Sequence, residues 1–406
     1  MKAVGKKPAQ DPPGRGFAAR ISLFYGAIFL LIGFHLPYFP VWLEWRGLSP
    51  GEIGIVLSAP LAVRIIITPV ISFAADRAGD RRRVLILLAW GALCGLSLFT
   101  LVSGFYTILA IAILAAFFWT SVMPVTEAIA MDGVRRSGHD YGRMRLWGSL
   151  TFIAASFAGG IGLQTWGAPA ALWLMIAATG SIVVAAYLLP RPVGKGRLEE
   201  ATALPQIRVK DAVSLVRAPL FLLFLAATGL VQASHAVYYA FGTIHWQSLS
   251  ISPGVIGLLW AVGVIAEILL FMFSGRAVAA LGTANLIILA ALAGILRWTI
   301  TAFSPPLWVL FPVQVLHALS FGAAHLGAVH FISQAIPEKI SATAQGLYAS
   351  CSAGIAMGAA ILASGALYEA LGGYAYLAMA ALCLISLAGA LVLARLWPGG
   401  KLIAAH

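Results

Sequence analysis

Glu267, Arg297 and His317 are ionisable residues set inside long apolar runs of the second half of the chain. Together they have the parts of a proton-handling site: a carboxylate to take a proton, an imidazole to pass it, and a permanent cation to answer the charge. An ionised side chain at mid-bilayer costs at least ~2.5–3.5 kcal/mol on insertion scales, so such residues face a partner or a water-filled path. Two readings follow. In one, Glu267 and Arg297 form a static pair tying the eighth and ninth apolar runs together. In the other, Glu267 loads and releases a proton during transport, and an anionic substrate competes for the arginine. Arg64 is the matching buried cation of the first half. Arg64 and Glu267 each lie 14 residues into their runs, about 21 Å deep at ~1.5 Å per residue.

Polar residues recur at helical spacing around these charges. Gln232, His235, Tyr239, Gly242 and Trp246 follow one another at three, four, three and four residues, and Gln314, His317, Phe321 and His325 form a second stripe. Each set shares one helix face. Lipid offers no hydrogen-bond partners for these groups, so both faces are expected to line a cavity. Glu127, Asp132, Arg143 and Arg145 add charges toward one end of the fourth and fifth runs, with Glu127 and Arg145 deeper. Tyr239 and Trp260 supply aromatic surface. No H-x-x-x-H or Cys/His group gathers three metal ligands. There is no nucleophile–base set, and no G-x-x-x-x-G-K-[ST] loop to cradle phosphates. An enzyme, a nucleotide-driven pump, a metal and a cofactor are therefore not expected.

The elements that position these residues are membrane spans. Of 406 residues, 61% are hydrophobic and 10% charged, against about 25% charged in an ordinary soluble domain. Apolar runs of about 20 residues begin near residues 20, 51, 84, 105, 145, 169, 219, 253, 284, 307, 341 and 373, so twelve spans are expected. Cys94, Cys351 and Cys383 all sit in these runs and make no disulfide framework. The net charge of +12 is a topology signal rather than a nucleic-acid patch: 23 of the 26 basic residues fall at the N-terminus or in the loops on its side. Both termini are accordingly expected in the cytoplasm of a bacterial-type inner membrane.

The chain divides near its middle. Residues 191–217 are rich in proline and in charges of both signs, and they read as a cytoplasmic linker between six-span bundles at 1–190 and 218–406. Ser49-Pro50-Gly51-Glu52-Ile53-Gly54 opens the second span, and Ser252-Pro253-Gly254-Val255-Ile256-Gly257 opens the eighth, 203 residues later. Parallel repeats of this kind place substrate between the halves. The same offset carries Arg64 onto Glu267, which would set the two on opposite walls of one central cavity.

Ser72 to Arg83, S-F-A-A-D-R-A-G-D-R-R-R, resembles the loop signature of the major facilitator superfamily, with Ser72 in place of its glycine and Asp80 interrupting its basic run. The resemblance implies a cytoplasmic gate at Asp76 and Arg77. Nearly the whole chain resembles the phenylpropionate permease branch of proton symporters. The matching stretches are Tyr141 to Ser149, His235 to Gln247, Gly263 to Glu267, Arg297-Trp298 and Gln314 to His317. By pattern it is distantly similar to lactose permease, which implies paired roles for Glu127, Arg145, Glu267, Arg297 and His317. The helix-10 acid of the sugar carrier is missing here. The expectation is an all-α membrane protein with 6+6 pseudo-twofold bundles, acting as a monomeric secondary transporter. It would move protons together with a small organic solute by alternating access. An aromatic carboxylate is the first expectation for the solute; a nucleoside or sugar symporter, a drug or metabolite exporter, and a membrane sensor or channel are the rivals. Proton coupling falls to Glu267, Arg297 and His317. Substrate contact falls to Arg64, Glu127, Arg145, Gln232, His235, Tyr239, Trp260 and His325.

Overall fold

The computed structural model describes residues 16–190 and 209–402, and among these there is no strand. In the first half α1 (Phe17–Trp45), α2 (Pro50–Ala78) and α3 (Arg81–Leu98) are followed by a span broken into α4 (Phe105–Trp119) and α5 (Val122–Ser137), then by α6 (Tyr141–Trp166) and α7 (Pro169–Leu188). Most of the expected linker, 191–208, lies outside the described residues; its last part is the short helix α8 (Val209–Val216). The seventh span breaks at Ser234 and His235 into α9 (Pro219–Ala233) and α10 (Ala236–Ser248). Then come α11 (Pro253–Met272), the short α12 (Ser274–Leu281) and α13 (Thr283–Ala302). The tenth span is α14 (Leu307–His317) and α15 (Ala324–Ala335) joined by a π-helical segment, Ala318–Ala323. The eleventh is α16 (Glu338–Ala349), a second π-helical segment Ser350–Ala356, and α17 (Met357–Leu371); a 3₁₀ turn leads into α18 (Ala375–Leu396).

Among the described residues, ten continuous helical stretches are long and apolar enough to cross a membrane, where the sequence led us to expect twelve spans. The difference has two sources. Arg81, Arg82 and Arg83 make the 18-residue α3 too charged to stand alone by this measure. Glu338–Leu396 runs as a single 59-residue stretch, about 88 Å of helix at ~1.5 Å per residue. It turns back on itself: Gly372 has φ 53°, and the amide of Leu402 donates to the Ala335 carbonyl at 2.8 Å. The end of α18 therefore returns to the start of α16.

Local chemistry starts the helices where the sequence led one to expect. Ser49 caps α2 by accepting from the Glu52 amide while Glu52 answers the Ser49 amide at 2.9 Å, and Pro50 occupies the first turn. Asp80 and Asp140 cap α3 and α6. Apolar side chains such as Leu101, Tyr106 and Trp308 point outward, which suits a lipid-facing surface. Inside, association rests on close packing rather than on escape from water, and small residues permit it. A Cβ on Gly33 of α1 would lie 2.8 Å from the Phe152 carbonyl of α6.

The two Ser-Pro-Gly repeats hold the halves together at one end of the bundle. A Cβ on Gly54 of α2 would lie 3.0 Å from Gly365 Cα of α17, and the Gly51 amide donates to Glu369 Oε2 at 3.2 Å. In the other half Gly257 of α11 packs against the Ser156 carbonyl of α6, Gly160 packs against the Pro253 carbonyl, and the Gly254 amide donates to Gln164 Oε1 at 3.3 Å. Tyr38 of α1 adds a hydrogen bond from its hydroxyl to the Ser156 carbonyl. This end is sealed by a duplicated contact. The other end carries both described chain ends: Phe17 packs on Gly133 and His139, and Leu402 on Ala335.

Candidate functional site

Arg297, in the last third of α13, is fully buried. Its Nη1 donates to Nδ1 of His317 at 2.9 Å and to Ser320 Oγ at 3.1 Å, and its Nη2 donates to Gln314 Oε1 at 2.9 Å. The guanidinium also lies over Tyr238 and Trp298, with Cζ 4.8 and 4.4 Å from the ring centroids. No carboxylate pairs with it among the described residues. Gln314, His317 and Ser320 come from one span, and the π-helical segment after His317 carries Ser320. Such insertions mark functional sites more often than chance.

Glu267 of α11 does not meet Arg297 directly. Its Oε2 lies 3.6 Å from Nε2 of His317, and its side chain is 19% exposed. The static Glu267–Arg297 pair is thus replaced by a three-residue series with the imidazole in the middle. Because an arginine can only donate, Nδ1 of His317 must accept, which leaves the ring proton on Nε2 facing the carboxylate.

His235, in the break of the seventh span, is tied to the same array. Its Nδ1 lies 3.2 Å from the carbonyls of Val231 and Gln232, and its Nε2 lies 3.2 Å from Ser320 Oγ. Nδ1 must donate to the carbonyls, so Ser320 donates to Nε2 while accepting from Arg297. Gln232 is buried with its side chain toward Tyr348 of α16. Trp260 of α11 donates from Nε1 to Thr243 Oγ1 at 3.0 Å and stacks on Tyr238 at 4.2 Å. Tyr239 is partly exposed and lies within the field of Glu267. His325 is exposed on α15, and its field also reaches Glu267.

The first half faces this array with a second polar group. Arg145 of α6 lies 4.0 Å from Glu127 of α5, each 31% exposed, and its guanidinium rests on Phe29 at 3.9 Å with Tyr25 at 5.6 Å. Arg64 is exposed on α2 and makes no ion pair among the described residues. The repeat offset holds for the scaffold, since Arg64 and Glu267 both lie ten residues beyond Gly54 and Gly257. The two make no ion pair with each other among the described residues.

Asp76 and Arg77 are separated in their contacts. Asp76 pairs with Arg81 at 2.7 Å, Arg81 also pairs with Asp132, and Asp132 with Arg135. Arg77 is exposed and makes no ion pair among the described residues. This cluster ties α2, α3 and α5 within one half. Sequence reasoning missed Ser320, Tyr25 and Phe29. Ser320 lies three residues after His317, and Tyr25 and Phe29 lie four apart in α1, so helical spacing from a known charge was the available signal.

Comparison with known proteins agrees with this architecture. The MFS_1 like family matches residues 18–378. The "Probable 3-phenylpropionic acid transporter" of Escherichia coli (strain K12) is 30% identical over 374 residues, 90% of this chain and 94% of that protein. The "Maltose permease" of Geobacillus stearothermophilus is 28% identical over 368 residues, covering 87% and 89%. Among solved structures, the nucleoside transporter NupG superposes with a TM-score of 0.80 at 17% identity, covering 94% of this chain and 99% of that one. At that identity the likeness speaks to fold alone.

Proposed function

We propose that this chain, which belongs to the MFS_1 like family and is a multi-pass secondary transporter of the major-facilitator type, couples proton movement to that of an aromatic carboxylate. The observation that carries the reading is the series Glu267–His317–Arg297, with Glu267 partly exposed and the arginine fully buried. A carboxylate that alternates between a buried imidazole and an open cavity is suited to take a proton from one side and release it to the other. Alternating access would expose it in turn.

Substrate would sit between the halves. Arg145 holds Glu127 only loosely and keeps guanidinium donors for an incoming carboxylate, which arginine grips with paired hydrogen bonds. Arg64 is a second cation for the same anion. Tyr239 and Trp260 would contact the ring, with His235, Gln232 and His325 shaping the second-half wall. The 30% identity to a phenylpropionate transporter favours this solute class. The end carrying both described chain ends would be cytoplasmic, since most basic residues gather there in the sequence. Twelve crossings follow if α3 and both arms of Glu338–Leu396 each span the bilayer, and the two bundles would then be joined by the linker at 191–217.

The test is uptake of labelled 3-phenylpropionate into proteoliposomes under an imposed inward proton gradient. Uphill uptake that collapses with a protonophore is expected. Binding without accumulation would point to a sensor, and protonophore-insensitive flux to a channel. Maltose or a nucleoside accumulating in place of 3-phenylpropionate would overturn the carboxylate assignment while leaving the symport intact.

A further inference from the structure

The second half buries a third histidine, His245, near the end of α10 at the sealed face, and its partners set it apart. His317 must accept from Arg297 and His235 must donate to carbonyls. His245 has Nε2 3.4 Å from Ser304 Oγ and Nδ1 3.4 Å from the Tyr368 hydroxyl. Both partners are hydroxyls, which accept as readily as they donate. This ring can therefore gain a second proton and keep both contacts. The titratable groups that face it are Tyr368 of α17 and Tyr376 of α18, with ring centroids at 6.1 and 5.7 Å; Glu44 of α1 is felt at Tyr368. A Cβ on Gly373 would lie 2.6 Å from His245 Cε1, so the ring occupies space that only a glycine leaves.

The surroundings lead in both directions. Outward, Ser304 is exposed and lines a surface depression of about 540 Å³ together with Ser250 and Ser252. Inward, Tyr376 stacks on Trp298, which neighbours Arg297. Three buried polar atoms along this track have no hydrogen-bond partner among the described residues: the Tyr376 hydroxyl, Trp246 Nε1 and Arg297 Nε. The Tyr376 hydroxyl lies 3.6 Å from where a Cβ on Gly242 would be, on the α10 face one turn before Trp246. Buried polar atoms left without protein partners are where ordered water resides.

We propose that His245 is a proton port at the sealed face, delivering protons to Glu267 through the Tyr368 and Tyr376 hydroxyls and water held at the unpartnered atoms. The inference rests on the proton-symport reading above. A hydronium ion at Ser304 gives a proton to the serine hydroxyl and becomes water, as the hydroxyl's own O–H bond breaks to form an N–H bond at Nε2 of His245. The N–H bond at Nδ1 then breaks toward the Tyr368 hydroxyl, whose own proton passes to water beside the Tyr376 hydroxyl and on to the next water. Each carrier ends with the protons it began with, and the net proton forms an O–H bond on the Glu267 carboxylate.

Two measurements test it. In nanodiscs, ¹⁵N-histidine NMR of the full chain should show a ring signal, absent in His245→Gln, that titrates as the sample is acidified. A His245 ring that stays neutral overturns the port whatever the transport data show. In proteoliposomes with 3-phenylpropionate as probe, His245→Gln and Tyr376→Phe should lose at least tenfold of gradient-driven uptake and keep exchange within about twofold. Tyr376→Phe deletes only an oxygen without a hydrogen-bond partner among the described residues, so the fold is preserved. If both variants accumulate like wild type while wild-type uptake collapses with a protonophore, the port is wrong and symport stands. If wild-type uptake ignores the protonophore, symport fails and takes the port with it.

Discussion

Nη1 of Arg297 lies 2.9 Å from Nδ1 of His317, and that contact decides which ring nitrogen faces Glu267. The imidazole stands between an acid and a base that do not touch, with Nε2 3.6 Å from the carboxylate. Breaking either contact would free the ring to reorient, which is the change a proton site needs between its two states.

Glu267→Gln removes the titrating oxygen and keeps the shape of the side chain. Uphill, gradient-driven uptake should fall at least tenfold, while exchange of solute across proteoliposomes persists. A variant that still accumulates solute against its gradient would remove Glu267 from the coupling step.

Arg297→Lys keeps the charge and loses the fork. One ammonium cannot reach Gln314, His317 and Ser320 in the same geometry, nor spread over Tyr238 and Trp298. Hydrogen bonds to a buried charged group are worth about 1.5–3 kcal/mol each, so thermal unfolding in detergent should move down by several degrees and transport should fail. An unchanged melting temperature would mean the array is not what holds α13 to the tenth span.

Gly257→Leu puts a side chain where the Ser156 carbonyl of α6 now packs. Overpacking costs about 1–3 kcal/mol, against the sealed conformation alone, which shifts its population roughly 5- to 150-fold. In a background lacking Cys94, Cys351 and Cys383, Ser156→Cys is buried at this seal and should label slowly with a maleimide. Adding Gly257→Leu should speed that labelling at least fivefold. Equal labelling rates with normal transport would show that the glycine contact does not govern closure.

Arg81→Gln and Arg77→Gln separate two neighbouring arginines. Arg81 joins Asp76 to Asp132 at about a quarter exposure, whereas Arg77 makes no ion pair among the described residues. Partly exposed pairs contribute about 1 kcal/mol or less each. Arg81→Gln should lower the melting temperature by a few degrees, and Arg77→Gln should leave it within error. The reverse order would place the load on Arg77.

Much of the architecture was legible because its causes are local. The Ser-Pro-Gly repeats are helix-start chemistry written within six residues, a full cap at Ser49 and a first-turn proline at both, and the structure places both at one sealed end. Glu267, Arg297 and His317 stood out because each alone is costly in lipid, and they lie within one array. Span counting was less secure. The arginines of α3 and the tight reversal at Gly372 blur where one helix stops counting and the next begins.

The amino-acid sequence by itself determined that this is a helical membrane protein with a duplicated scaffold and a few charges in its interior. Desolvation is a cost each residue carries wherever it ends up. Partnership is different, because it depends on how helices rotate and approach. Only the tertiary structure decided that His317 separates Glu267 from Arg297, that Arg145 meets Glu127 while Arg64 makes no ion pair among the described residues, and that Asp76 holds Arg81 rather than Arg77. The π-helical segment after His317 and the break at His235 set which polar groups share a face with Arg297. Those distances come from packing between helices far apart in sequence, which no spacing along one helix encodes.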